Sequence, residues 1–184
     1  DMTSGNIIGH IIRFSIPLLL GNLFQQLYNT VDTWVVDNYV SNEAFSAVGA
    51  VAPIVNMLIG SFMGLSSGAG VVISQYYGAG RKDKVEESVH TAITMTLLLT
   101  VVFTTVGLLI TPLMLGFMNL HGNAVGEAKT YLTIYFGGMI GLMFYNMGAG
   151  ILRAVGDSKR PFYFLVVCAV LNTILDLVFV LVFK

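Results

Sequence analysis

The chain has 184 residues, of which 55% are hydrophobic and only 10% charged, against roughly 25% charged in an average soluble domain. That composition excludes an ordinary soluble fold, and a net charge of −1 provides no basic field to hold a nucleic-acid backbone. A single cysteine, Cys168, excludes an intramolecular disulfide and a multi-cysteine metal site, and His10, His90 and His121 lack metal-ligand spacing.

Charges punctuate the chain. Between them lie apolar stretches that can each hold the roughly 20 residues needed to cross a bilayer core, and these predict helices over about 12–38, 50–77, 89–117, 130–152 and 161–183. Barrel strands would alternate apolar and polar residues, whereas these runs are apolar on both faces. The fold class is therefore an all-α integral membrane protein, a polytopic helical bundle.

In the first helix Asn22, Gln25, Asn29 and Asp32 recur at spacings of three and four, which puts them on one face that cannot look at lipid. Trp34 and Tyr39 follow, near a membrane interface. Residues 1–13 lack the basic start of a secretory signal, so the first helix is expected to be retained. Asp37 and Glu43 belong to the loop that follows. The second helix carries Asn56 and a stripe of small residues, Gly60, Gly64 and Gly68, whose spacing predicts close helix packing; Gly137 and Gly141 repeat it in the fourth helix. Asn29, Asn56 and Tyr135 are candidate residues of a substrate cavity, which the nine methionines and twelve phenylalanines would make flexible and greasy. In the fifth helix Cys168, Asn172 and Asp176 share a face at spacings of four, with Cys168 read as a buried small hydrophobe.

Five spans place alternate loops on opposite sides. Arg13, Arg81, Lys82, Lys84, Arg153, Lys159 and Arg160 fall on the side of the N-terminus, and only Lys129 and Lys184 on the other. The positive-inside rule then puts the N-terminus and loops 78–88 and 153–160 in the cytoplasm. On that orientation Asp32 lies about 27 Å along its helix from Phe14 and Asp176 about 22 Å from Pro161. Both carboxylates reach the outer half of the membrane at similar height, and Asn56 falls in reach of the same layer.

Four segments, "PLLLGNLFQQLYNTVDTWVVDNYVSNEAFSAVGA" (17–50), "SQYYGAGRKDKV" (74–85), "ILRAVGDSKRPFYF" (151–164) and "LNTILDLVFV" (171–180), resemble in order and spacing the multidrug and toxic compound extrusion (MATE) family of transporters. The resemblance implies a fold of two six-helix bundles related by a pseudo-twofold repeat, facing each other across a cavity that alternates access. Residues 1–184 would then be an incomplete N-terminal bundle, with a sixth helix and a second bundle as partners in the longer chain. It further implies a cation-coupling site at Asp32, Asn172 and Asp176 with Gln25 nearby, taking a proton or a sodium ion and no other cofactor. The location would be the cell (inner) membrane and the substrates small amphipathic cations. Asp37 stands where the family usually has glycine.

Two other functions compete with export. A flippase of lipid-linked saccharides would need cationic residues for pyrophosphate, and no predicted span has a central Lys or Arg. A non-transporting membrane scaffold requires both intramembrane aspartates to be accidental. An embedded enzyme needs a nucleophile with its base, or a metal cluster, and the pattern contains neither.

Overall fold

In a computed structural model describing residues 7–39, 42–117 and 124–179, the chain forms five helices: α1 (Ile7–Tyr39), α2 (Asn42–Gly78), α3 (Lys82–Phe117), α4 (Ala124–Ala154) and α5 (Lys159–Val178). The side chains of Asp32, Asp37 and Glu43, and all of residues 180–184, lie outside what is described. Each helix begins earlier than the hydropathy places it. Apolarity marks only the part of a helix that sits in hydrocarbon, and good helix formers such as Lys and Glu carry it further. Asp83 and Glu127 in the first turns of α3 and α4 and Arg153 in the last turn of α4 also complement the helix dipoles.

Among the described residues, four helical segments are long and apolar enough to cross a membrane: Gly49–Gly78, Lys82–Gly116, Val125–Ala154 and Lys159–Val178. The 33-residue α1 is about 50 Å long, ample for a crossing. Its amide and carboxylate positions dilute its apolarity, and it is not among the four. Large hydrophobic side chains such as Leu98, Val101, Leu109 and Leu113 on α3 turn outward. In water such a surface would aggregate; in a bilayer it meets lipid. Hydroxyls within the helices are satisfied locally, since Thr91, Thr96, Thr111, Thr130, Thr133 and Thr173 each donate to the carbonyl four residues back.

The chain divides into two units. One comprises Asn42–Ile151, and the other Asp1–Ser41 with Leu152–Lys184. In the first unit α4 supplies the seam: Ala128, Leu132, Phe136, Met139, Met143 and Met147 recur every three or four residues and are all buried. Val51 and Phe62 from α2 and Leu115 from α3 close on it, with the Phe62 and Phe103 rings edge to face at 5.0 Å. Polar links also cross between helices. Ser66 Oγ donates to Asn146 O at 2.7 Å, Thr104 Oγ1 donates to Phe136 O at 3.1 Å, and Thr100 Oγ1 lies 2.9 Å from Met143 Sδ.

The glycines that permit this packing are not the ones the spacing singled out. A Cβ at Gly107 would overlap the Phe136 ring, and one at Gly150 would overlap Ser66 Oγ, whereas Gly60, Gly64, Gly68, Gly137 and Gly141 have open space beside them. The predicted packing stripe on α2 is therefore an exposed face among the described residues. Spacing identifies a face where backbones can approach; it does not identify a helix that comes to meet it.

Two helix ends share one chain reversal. Gly80 (φ +69°) follows α2 and Gly156 (φ +88°) follows α4. In each, the glycine N–H returns to the carbonyl three residues back and the next N–H to the one five back: Gly80 to Tyr77 and Arg81 to Tyr76, Gly156 to Arg153 and Asp157 to Leu152. This is the Schellman closure, for which the left-handed residue favours glycine. After the second reversal Asp157 Oδ1 accepts the N–H groups of Lys159 and Arg160, both at 3.1 Å, and so caps the start of α5. After the first, exposed pairs form between Arg81 and Asp83 and between Lys84 and Glu87. The hydrogen bond and charge of Glu87 hold the Lys84 ammonium above its ordinary pKa, although such exposed pairs contribute little to stability.

Candidate functional site

In the second unit α1 packs on α5. Gly21 is buried, and a Cβ there would lie 3.4 Å from Leu165 and 3.7 Å from Phe162, while the Phe24 and Phe162 rings meet edge to face at 6.0 Å. At 100° per residue the Asp32 position falls about 20° from Gly21 and about 40° from Tyr28 around α1. The backbone thus carries position 32 on the side that packs against α5, one turn beyond half-buried Tyr28. The Asp32 side chain itself is not described.

On α5, Asn172 and Asp176 are both half-buried and one turn apart. Asn172 Oδ1 is fully shielded and has no hydrogen-bond partner among the described residues, an expensive state for a carbonyl oxygen. Position 32 is eleven residues beyond Gly21, and Asp176 is eleven beyond Leu165, the residue packed on Gly21. Among the described residues no three His, Cys, Asp or Glu side chains group to hold a metal ion. The available donor set is amide and carboxylate oxygen, which suits a hard monovalent cation or a proton.

Gln25 and Asn29 are exposed on α1, and Asn56 is exposed on α2 in the other unit. Tyr135 is drawn into the interior of that unit: it packs against the buried cluster, its ring stacked on Tyr131 at 6.2 Å and edge-on to Phe136 at 6.5 Å. Cys168 is exposed rather than buried, because the side of α5 that meets α1 runs through Phe162 and Leu165. The role of Gly21 was missed in the sequence. Its signal is a lone glycine inside a helix one turn before a polar position, and such a glycine has many explanations.

The family model for MatE matches residues 17–178. The probable multidrug resistance protein YpnP of Bacillus subtilis (strain 168) is 29% identical over 184 residues, all of this chain and 41% of that protein. YoeA of the same organism, also a probable multidrug resistance protein, is 34% identical over 159 residues, 86% of this chain and 34% of its own length. Among solved structures, a MOP superfamily transporter from Pyrococcus furiosus Vc1 superposes with a TM-score of 0.87 at 31% identity, over 92% of this chain and 37% of that one. The chain thus spans about two fifths of the length of the proteins it matches. With the family match running from α1 to the end of α5 and the same helical arrangement in a solved relative, the chain belongs to the MatE family of membrane transporters.

Proposed function

We propose that this chain is the N-terminal bundle, less its last helix, of a cation-coupled exporter of amphipathic organic cations that works by alternating access. The observation that carries the reading is the shielded, unpartnered Asn172 Oδ1 one turn from Asp176, on the helix that packs against the Asp32 side of α1. An orphaned oxygen beside a carboxylate is costly unless something positive visits it. A sodium ion would take oxygens from Asp32, Asn172 and Asp176; a proton would sit on one carboxyl and be shared by the other. Gln25 follows Gly21 by one turn and flanks the same site.

The relatives are about two and a half times as long as this chain, which supports a longer protein; on this reading its remainder supplies a sixth helix and a second bundle, with the cavity between bundles. The basic loops 78–88 and 153–160 and the N-terminus face the cytoplasm, and the exporter reading puts the protein in the cell (inner) membrane, moving its substrates outward.

The test uses the full-length protein in proteoliposomes. Asp32→Asn and Asp176→Asn are each expected to abolish gradient-driven movement of a dye cation without loss of membrane insertion, and the double variant is expected to be no worse than either. Parental transport by either single variant, under both a collapsed and a restored gradient, removes that residue from the site.

A further inference from the structure

The two basic connections of the chain balance their charges differently. In 81–90, Arg81, Lys82 and Lys84 are matched by Asp83, Glu86 and Glu87, and pairs form between Arg81 and Asp83, Lys84 and Glu87, and His90 and Glu86. In 153–160, Arg153, Lys159 and Arg160 meet a single acid, Asp157, so three positive charges stand against one negative. That acid is already committed. Its Oδ1 accepts the N–H groups of Lys159 and Arg160, and its Oδ2 lies 3.2 Å from Arg160 Nε. The start of α5 is thereby closed, and the charge left over is carried by side chains. Lys159 and Arg160 are both exposed, and Lys159 has no ion pair among the described residues.

Around α5, at 100° per residue, Lys159, Arg160 and Tyr163 fall within an arc of about 100° that also holds Val167, Val170 and Ile174. The arc is centred about 140° from the Phe162 and Leu165 side that packs on α1. Tyr163, Val167, Val170 and Ile174 are all more than half exposed, and α5 is the least buried of the four apolar segments among the described residues. From Tyr163 to Ile174 the column runs about 16 Å, close to the depth of one leaflet's hydrocarbon. Cation, aromatic ring and apolar column therefore follow one another in the order of a phospholipid's phosphate, glycerol and acyl chain. A zwitterionic headgroup brings its own ammonium and leaves the excess charge at 153–160 unmet. An anionic headgroup cancels it.

We propose that the side of α5 turned away from α1 binds an anionic phospholipid, with Lys159 and Arg160 on its phosphate, Tyr163 at the level of its glycerol and one acyl chain along Val167, Val170 and Ile174. The proposal needs the helix to lie in a bilayer and does not depend on what the protein transports.

The test uses the full-length protein in vesicles of equal parts dioleoylphosphatidylglycerol and dioleoylphosphatidylcholine, with photoreactive p-benzoylphenylalanine in place of Val167. Illumination joins the probe to whatever lies against it, and mass spectrometry identifies the adduct. Phosphatidylglycerol is expected to be captured about fivefold or more over phosphatidylcholine, the effect of roughly one surface charge. Lys159→Gln with Arg160→Gln is expected to bring the ratio within about twofold of unity. Two other backgrounds are expected to keep the preference: Arg81→Gln with Lys82→Gln, which removes two charges elsewhere, and the charge-preserving Lys159→Arg with Arg160→Lys. Equal capture of the two lipids by the parent, a preference that survives Lys159→Gln with Arg160→Gln, or an equal fall in the Arg81 and Lys82 variant each overturns the proposal. Adducts to the protein's own chain in place of lipid also overturn it, and would mark this side of α5 as covered by the rest of the transporter. So does loss of the preference on adding excess glycerol phosphate, since a soluble phosphate that suffices has no use for the apolar column.

Discussion

Gly107 of α3 lies so close to the Phe136 ring of α4 that one added methyl group would overlap three of its carbons. Phe136 is itself buried at the centre of the α4 seam, and its backbone carbonyl accepts from Thr104 of α3. A buried ring on a tethered backbone can shift only by displacing its neighbours. Gly107→Ala is therefore expected to destabilise the full-length protein by about 1–3 kcal/mol, the usual cost of overpacking. Gly60→Ala, with open space beside it, is expected to be neutral or slightly stabilising through helix propensity. Thermal unfolding of the purified protein compares them, and equal losses at the two positions would contradict the packing described.

Ser66 and Gly150 form a second close approach, between α2 and α4. Ser66→Ala removes the hydroxyl that donates to Asn146 O and is expected to cost about 0.5–1.5 kcal/mol. Gly150→Ala drives a methyl group into that hydroxyl and should cost more. Combined, the two substitutions are expected to cost less than their sum, because the serine oxygen is the atom in the way. A strictly additive double variant in the same unfolding assay would refute the contact.

Asn172 separates stability from function. Replacing it by Leu removes the shielded, unpartnered oxygen, so thermal stability is expected to hold or rise, by up to about 1–3 kcal/mol. Gradient-driven transport is expected to fall sharply, because the neutral oxygen beside Asp176 is lost. Loss of both together, or of neither, would count against a coupling role for this residue.

The orientation rests on the distribution of basic residues. A cysteine placed at Asp83, in the first turn of α3 and on the side of the Gly80 reversal, is expected to resist an impermeant thiol reagent added outside intact cells, after Cys168 has been replaced by Ser. One placed at Gly126, in the first turn of α4, is expected to react. The opposite labelling pattern would invert the protein and move Asp32 and Asp176 to the inner half of the membrane.

Hydropathy by itself determined that the chain is helical and membrane-embedded, roughly where its five helices lie, and which few polar positions within them are costly enough to need a reason. Each of these is a property of one residue against its solvent, so a sequence displays it directly. The Gly80 and Gly156 reversals belong with them, since glycine there answers a local backbone demand. Tertiary structure decided which glycines are contacts, with Gly21, Gly107 and Gly150 packed and Gly60, Gly64 and Gly68 open. It also decided that α1 meets α5 through Gly21 and Phe24, leaving its amide stripe exposed, that Tyr135 is drawn into a packed interior, and that Cys168 is exposed. Within a bilayer, lipid-facing and buried sides are equally apolar, so periodicity no longer separates them. Only the shape of the neighbouring helix does.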